Sequence, residues 1–191
     1  MISLKTRNRI LFAFKELVEE KGFYNATVDE LAGRYGISKR TIYRHFSSKE
    51  EMIETVLQEF IRETERQVDL ALASSEDPAE KITHFIKALS ARLRMFNPRL
   101  FSDIQRYYPH LWEEVEKLRA NKIQHIIKII MEGRCQGYFK EINPVVATAA
   151  LLAMVQAIVT PNFVLEHNLT AEEAFTTVIN TFLYGIVANQ P

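Results

Sequence analysis

The spacing of the apolar residues constrains this sequence most, because they recur at steps of three and four along almost the whole chain. No clean stretch alternates with period two, as a half-buried strand would. Four prolines stand where a helix can begin, at the first position, where a missing backbone N–H costs nothing. These are Pro78, Pro98, Pro109 and Pro144. The pattern predicts an all-α fold of about nine helices.

Further helix starts come from capping boxes, in which a Ser or Thr is followed three residues later by Glu. The pairs are Thr27 with Glu30, Ser48 with Glu51, and Thr170 with Glu173. With glycines at several helix ends, the first four helices are expected at about 3–21, 27–35, 38–46 and 48–73. The seventh should end near Gln136 and the ninth near Val187, and Pro161 should kink or end the eighth.

The cysteine content excludes two classes of protein. A single cysteine, Cys135, allows neither an intramolecular disulfide framework nor a cysteine-rich zinc site. It fits a reducing compartment, and we expect a cytoplasmic protein. Arg134 beside it favours the thiolate, so a redox sensor is an alternative, but one thiol without a nearby base is more often passive.

One uncharged stretch raises the question of a membrane. No Asp, Glu, Lys or Arg occurs in the 24 residues between Glu141 and Glu166, which is long enough to span a bilayer. The stretch contains asparagines, prolines and a glutamine, and no cluster of Lys and Arg flanks it. We expect instead a helix that is buried by protein, and no membrane partner. The charged, helically spaced N-terminal stretch also predicts no signal peptide.

Charge is divided unevenly along the chain. Residues 1–49 carry ten Lys and Arg against five Asp and Glu, whereas residues 50–191 carry fourteen against nineteen. A basic head on an acidic body is typical of a chain whose head alone meets a polyanion. An accident of surface charge is the alternative. We therefore divide the chain into a head, 1–49, and a helical body, 50–191, joined by the helix from Ser48.

The head contains the pattern of a helix-turn-helix. A helix from Thr27 is followed by a turn at Gly36 and by a short helix from Ser38. Glycine allows a turn conformation that a side chain would penalise. Apolar positions of this motif can close a small core with the first helix: Val28, Leu31, Ala32, Ile37, Ile42 and Phe46.

Polar side chains share one face of the short helix. Lys39, Arg40, Tyr43 and Arg44 follow one another at i, i+1, i+4 and i+5. A short helix with cations and an aromatic ring on one face can enter the major groove of DNA. Its N-terminal end, residues 38–41, should lie nearest the base edges.

Groups around this helix can contact phosphates. Tyr43, His45 and Lys49 can reach the backbone beside the groove, and the helix start at Thr27 can offer its N–H and hydroxyl to another phosphate. In the alternative, Tyr43 and His45 are half-buried packing residues, and the cations are only solvated.

These residues make the chain resemble a known family. The matching runs read RILFAFKELVEEKGFYNATV, DELAGRYGIS and KRTIYRHFSSKEEM, and they cover roughly the first 55 residues. In residue types and order the stretch closely resembles the TetR family of bacterial transcriptional regulators. The resemblance implies a three-helix DNA-binding head, a helical ligand-binding body and a homodimer paired through the last two helices.

The resemblance also implies which side chains contact DNA. By position they are Thr27, Ser38, Lys39, Arg40, Thr41, Tyr43, His45 and Lys49, and Arg44 lies on the same face. Many members of the family carry glycine where this chain has Arg40. An arginine can contact a guanine or a phosphate, so the base preference stays open.

The body is rich in aromatic residues on its fifth, sixth and seventh helices. They predict a pocket for a largely apolar small-molecule effector. The expected lining is Phe85, Leu89, Arg92, Phe96, Phe101, Tyr107, Tyr108, Trp112 and Gln156. In the alternative, the same residues are only the core of the body.

The last two helices carry more apolar surface than the core of one chain needs. We expect them to pair two copies through a four-helix bundle. The expected interface is Leu152, Val155, Val159, Phe175, Ile179, Phe182 and Ile186. Burial within one chain is the alternative.

The sequence contains no catalytic or cofactor motif such as GxSxG, a glycine-rich phosphate loop or HExxH, and its five histidines lack metal-ligand spacing. We therefore expect no enzyme, cofactor or metal. The predicted function is a ligand-responsive, homodimeric repressor that binds a palindromic operator in double-stranded DNA. The alternative is a small-molecule-binding or protein-interaction module whose head does not recognise DNA.

Overall fold

The protein is described by a computed structural model that covers residues 2–95, 98–158 and 167–188, with the side chains of 2, 3, 92–95, 98 and 171 outside that description. These residues form nine helices, which confirms the all-α prediction. We number them α1 Ile2–Asn25, α2 Val28–Tyr35, α3 Lys39–His45, α4 Lys49–Ala73, α5 Pro78–Met95, α6 Pro98–Tyr107, α7 Pro109–Cys135, α8 Pro144–Ile158 and α9 Ala171–Ile186. The predicted kink at Pro161 lies outside the described residues.

Side chains fix several helix starts. The hydroxyl of Thr170 accepts the Glu173 N–H at 3.1 Å, and the Glu173 carboxylate accepts the Thr170 N–H at 2.8 Å, so this capping box is complete. At α4 the box is shifted by one residue. Ser48 caps the Glu51 N–H at 3.1 Å, but the Glu51 carboxylate accepts its hydrogen bonds from the N–H and hydroxyl of Ser47. These bonds lower the pKa of Glu51.

The end of α1 shows the predicted break at Gly22, followed by a short further helical segment. The helix continues to Asn25, but Gly22 interrupts it with φ 84° and ψ 166°, a conformation that favours glycine. The Tyr24 N–H beyond this kink donates to the Asp103 carboxylate of α6 at 2.9 Å. A partner 79 residues away therefore takes up a donor that the kink leaves free.

The chain divides into two compact units. The first comprises Met1–Glu65 with Arg92–Leu118, and the second Arg66–Ala91 with Arg119–Pro191. The functional boundary after Lys49 lies inside the first unit and stays a prediction.

The core of the first unit is built on α1. It includes five of the six predicted head positions as buried residues, with Ala32 packed at its edge. Its largest buried side chains include Phe14, Phe23, Phe46, Ile10, Leu17, Leu31 and Ile42. This core holds α2 and α3 on α1 and so sets the orientation of the helix-turn-helix.

The core of the second unit is formed by the side chains on the inward faces of its helices. It includes Val68, Ile82, Phe85, Ile86, Ile126, Ile130, Leu151, Phe175, Ile179 and Phe182. Within the described ranges, no helix is both long and apolar enough to cross a membrane.

Candidate nucleic-acid interface

The candidate DNA-contacting surface is the outward face of α3. Ile42 and Phe46 are buried in the core of the first unit and anchor the helix from one side. The opposite face is consequently open to solvent, where Lys39, Arg40 and Arg44 are exposed and Tyr43 has 52% of its surface accessible. Tyr43 is therefore exposed on this face, whereas His45 at the helix end is half-buried.

The N-terminal end of α3 is held in place by local hydrogen bonds. The hydroxyl of Ser38 accepts the Thr41 N–H at 3.1 Å, and the two hydroxyls lie 2.8 Å apart. The turn before it depends on Gly36, whose φ of 61° lies in the left-handed region. The end of α3 predicted to lie nearest the bases is therefore preorganised.

The cations of α3 differ in their partners. Lys39 forms an exposed ion pair with Asp29 of α2. Within the described residues, Arg40 and Arg44 have neither an ion pair nor a hydrogen bond, so their guanidinium donors are available to DNA. Exposed ion pairs contribute little, about 0–1 kcal/mol, so Asp29 does not prevent Lys39 from changing partners.

Lys49 is the first residue of α4, and Thr27 is the residue that caps α2. The Lys49 ammonium donates to the Tyr24 carbonyl at 2.9 Å, three residues before Thr27. Burial lowers the pKa of Lys49, and the charge of Asp103 opposes that shift. An ammonium has three donors, so this bond leaves two for a phosphate. The Thr27 hydroxyl accepts the Glu30 N–H at 3.2 Å and caps α2.

Contacts between α6 and the head were not predicted from the sequence. The Tyr24 ring stacks on Tyr107 with 4.1 Å between centroids, beside the bond from Tyr24 to Asp103. The side chains of His110 and Glu50 lie 3.0 Å apart and link the starts of α7 and α4. No local pattern indicates contacts between residues so far apart in the chain.

Two arginines of α1 were also missed, and they support the surface from behind. The Arg7 guanidinium lies 4.5 Å from the Phe46 ring centroid, and Arg9 donates to the Tyr35 carbonyl at 3.2 Å. Arg7 therefore packs against an anchor of α3, and both add positive charge to the head.

Comparison with known proteins places this head in a family. The family model described as bacterial regulatory proteins, tetR family, matches residues 10–56, which contain every predicted DNA contact. The chain belongs to the TetR family.

The similarity to known transcriptional regulators extends beyond the head. The uncharacterised HTH-type transcriptional regulator YvaF of Bacillus subtilis is 25% identical over 183 residues, 95% of this chain and 96% of that protein. The HTH-type transcriptional repressor KstR2 of Mycolicibacterium smegmatis is 25% identical over 138 residues, 70% of this chain and 67% of that protein. The crystal structure of PfmR from Thermus thermophilus superposes with a TM-score of 0.72 at 26% identity, covering 92% of this chain and 97% of that chain. The protein is thus a DNA-binding transcriptional regulator with a helix-turn-helix.

The predicted effector pocket of this TetR-family chain divides between its two units. Phe85 and Leu89 belong to the core of the second unit, and Gln156 is exposed on α8. Phe101, Tyr108 and Trp112 pack against the core of the first unit, and Tyr107 stacks on Tyr24. The Arg92 side chain and Phe96 lie outside the described residues. The aromatic residues of α6 and α7 therefore have a packing role, and a pocket lined by the whole set stays a prediction.

The expected dimer residues face mostly inward. On α9, Phe175, Ile179, Phe182 and Ile186 are buried in the core of their own unit. Leu152 and Val155 on α8 are half-buried against the same core, and Val159 lies outside the described residues. The four residues of α9 pack in one core with Ile82 and Ile130, and Phe182 and Ile186 also line the open groove described next, so their part in a dimer stays a prediction.

A different set of residues faces outward from α8 and α9. Val145, Val146 and Tyr184 are exposed, and Tyr184 has 91% of its surface accessible. An open groove of 490 Å³ runs beside them. Its lining includes Ile142, Val146, Ala150, Met154, Thr181 and Gly185, and we name it the α8–α9 groove. Within the described part of the chain, no group of three His, Cys, Asp or Glu residues is placed to hold a metal ion.

Proposed function

We propose that this TetR-family protein is a ligand-responsive repressor that binds a palindromic operator as a homodimer, in the cytoplasm where the DNA lies. The observation that carries the proposal is the outward face of α3, which presents Arg40 and Arg44 without partners among the described residues, on a helix anchored by Ile42 and Phe46. A repressor is consistent with the relative KstR2, whose name describes it as one.

In this proposal the residues of the head have distinct roles. Lys39 and Arg40 contact base edges in the major groove, since they lie at the N-terminal end of α3. Tyr43 and Lys49 contact phosphates and position the head. Ser38, Thr41, His45 and Thr27 add phosphate or base contacts at the two ends of the motif.

The proposed dimer interface is the outward face of α8 and α9. Helix α8 contains no charged residue, so two copies can approach along it without burying an unpaired charge. Contiguous exposed apolar surface of this kind is typical of protein interfaces. A two-fold axis would let Tyr184 of one copy pack in the α8–α9 groove of its partner. Gly185 and Ala150 would allow close approach of the helices.

The proposed switch uses α4. This helix begins at Lys49, beside the recognition helix, and continues without interruption to Ala73 in the second unit. A bound effector that tilts α4 would change the spacing of two heads, which must lie about 34 Å apart to enter successive major grooves. The effector can act only through its different affinity for the two spacings, typically about 1–3 kcal/mol.

The experiment that tests DNA recognition is selection of binding sites from random duplex DNA with the purified protein at near-physiological salt. We expect enrichment of a palindrome, with binding that weakens steeply as salt is raised. A transcription assay on that operator separates repression from activation. Failure to enrich any sequence with a folded, dimeric protein would support the alternative, a body that binds small molecules or proteins below a head that does not recognise DNA.

A further inference from the structure

The second unit contains a lysine that the proposed DNA contacts do not use. Lys122 on α7 has only 6% of its surface accessible, although lysine is almost never fully buried without a partner. Ile126, one turn further along α7, is buried in the core of the unit. Within the described chain, Lys122 forms no hydrogen bond or ion pair. Burial of an ammonium is costly unless an anion compensates it.

A second buried polar group has the same property. Ser90 on α5 is 3% accessible, and within the described chain its hydroxyl has no hydrogen-bond partner. Thr148, the buried hydroxyl of α8, instead donates to the carbonyl of Pro144, four residues before it, at 2.8 Å. Buried polar groups are normally satisfied, so two unsatisfied ones in one unit require an explanation.

The ideal rise of an α-helix, counted from one contact between α5 and α7, puts these two groups at about the same level. The start of α5 touches the end of α7, since a Cβ added to Gly133 would lie 3.0 Å from the Cβ of Pro78. Both helices contribute to one core between these ends and Ser90 and Lys122. Ser90 lies twelve residues after Pro78, and Lys122 lies eleven before Gly133. At about 1.5 Å per residue these are about 18 and about 16.5 Å along the two helices.

The core between the contacting helix ends and these two polar groups is apolar. Ile82, Phe85 and Ile86 of α5 pack in the same cluster as Ile126 and Ile129 of α7. An ammonium and a hydroxyl at one end of an apolar cluster offer donors to an anion and hydrophobic contact to the rest of a molecule.

We propose that Lys122 and Ser90 bind the carboxylate of a largely apolar effector. This inference rests on the proposed ligand response and deepens it, because it assigns the chemical class of the effector. The carboxylate accepts hydrogen bonds from the Lys122 ammonium and the Ser90 hydroxyl, and it neutralises a charge that is otherwise buried alone. Charge-assisted bonds of this kind are the stronger ones in proteins.

The first test measures binding of decanoate and of 4-phenylbutyrate to the full-length protein by calorimetry, with no DNA present. We expect at least one acid to bind the wild type, and Lys122→Met to weaken it by about tenfold or more. Ser90→Ala should weaken it by about threefold to tenfold. The matched control is Lys128→Met, because Lys128 is an exposed lysine on the same helix and should leave the affinity unchanged.

The neutral analogue 1-decanol separates charge recognition from simple hydrophobic binding. We expect its affinity to be the same in the wild type and in Lys122→Met. Equal binding of the acids to the two proteins, or binding of neither acid to the wild type, would overturn the proposal.

A second measurement requires no ligand. If Lys122 is buried without an anion in the free protein, Lys122→Met should raise the melting temperature by roughly 2–4 °C, while Lys128→Met should not. A lower melting temperature for Lys122→Met would assign the lysine a structural role instead. Operator release is measured separately. Carboxylate binding that leaves operator affinity unchanged would keep this site and refute the proposed ligand response.

Discussion

The helices α3 and α9 present their surfaces in opposite ways. On α3, Ile42 is buried and the polar residues around it face outward. On α9, Phe175, Ile179 and Phe182 are buried in the core of their own unit, and the outward face carries Tyr184. A short polar helix thus needs few buried side chains to hold it, and its remaining residues face solvent. An apolar helix carries hydrophobic side chains both on the face that packs in the core and on the face that points outward. Only the packing of the chain separates the face of the core from the face available to a partner.

The largest effect should come from the anchor of α3. Phe46→Ala removes a ring that is buried beside Ile42 and Arg7, and we expect a loss of about 3–5 kcal/mol in the free energy of unfolding. Operator binding should fall with it. The measurement is denaturant unfolding followed by circular dichroism.

The matched control for this anchor is Phe12→Ala, since Phe12 is 64% accessible on α1. Its effect should stay within about 0.5 kcal/mol. Equal losses in the two variants would contradict the anchoring of α3 by Phe46.

Placing a charge on the outward face of α9 tests whether that face, and not the core-facing one, contacts a second copy. Tyr184→Glu should weaken the proposed dimer by about 2–4 kcal/mol, because it would bury an unpaired carboxylate in the partner's groove. Analytical ultracentrifugation at several concentrations measures the dissociation. Ile179→Ala is the contrasting variant, because it should lower the stability of the fold by about 2–5 kcal/mol through a cavity. A Tyr184→Glu protein that dimerises like the wild type would place the interface elsewhere.

On α3 the comparison is sharpened by separating base contacts from phosphate contacts. Arg40→Ala should cost about 1–3 kcal/mol and relax the preference at one base pair of the selected operator. Lys49→Ala should weaken all sequences alike. Competition binding with operator variants measures both.

The control for Arg40 is Arg34→Ala, which removes an exposed head arginine that is paired with Glu20 of α1 and lies outside the predicted DNA contacts. It should leave sequence preference unchanged. Uniform weakening by Arg40→Ala would assign Arg40 to a phosphate.

The smallest effect should come from the capping box of α9. Thr170→Ala removes the hydroxyl that accepts the Glu173 N–H, and we expect a loss of about 1 kcal/mol. Thr176→Ala, a change at an exposed position inside the same helix, should stay within about 0.5 kcal/mol. Thermal unfolding measures both variants.

The same box has a pH signature. Hydrogen bonds from the N–H and hydroxyl of Thr170 lower the pKa of Glu173, so the folded state favours the charged carboxylate. This contribution is present at neutral pH and is lost as the pH falls from the ordinary pKa of Glu173 through the lowered one. Carboxyl NMR titration should show the pKa of Glu173 rising part of the way back in Thr170→Ala, which keeps the backbone donor.

Local chemistry made much of the fold predictable. Proline, glycine and capping residues act within one turn, so they indicated the starts of α5 to α8 and the cap at Thr170. The exposed set on α3 was predictable for the same reason, because Ile42 and Phe46 fix which face turns inward.

Other features depend on contacts between residues far apart in the chain. The bond from Tyr24 to Asp103 spans 79 residues, and no local pattern contains it. In the sequence Lys122 looks like any surface lysine, and only the folded chain shows that it is buried. The sequence could not separate the core-facing side chains of α9 from those available to a second copy, because hydrophobicity alone does not show what a side chain packs against.

Tyr24 is held at both of its peptide groups. Its N–H is bound by Asp103 of α6, and its carbonyl by Lys49 at the start of α4. The segment that leads into the helix-turn-helix is therefore hydrogen-bonded to both helices at one residue. A displacement of either helix would therefore reach the head at Tyr24. A hinge on α4 would lie beyond Lys49, whereas α6 leaves no place for one, since its last residue, Tyr107, also stacks on Tyr24.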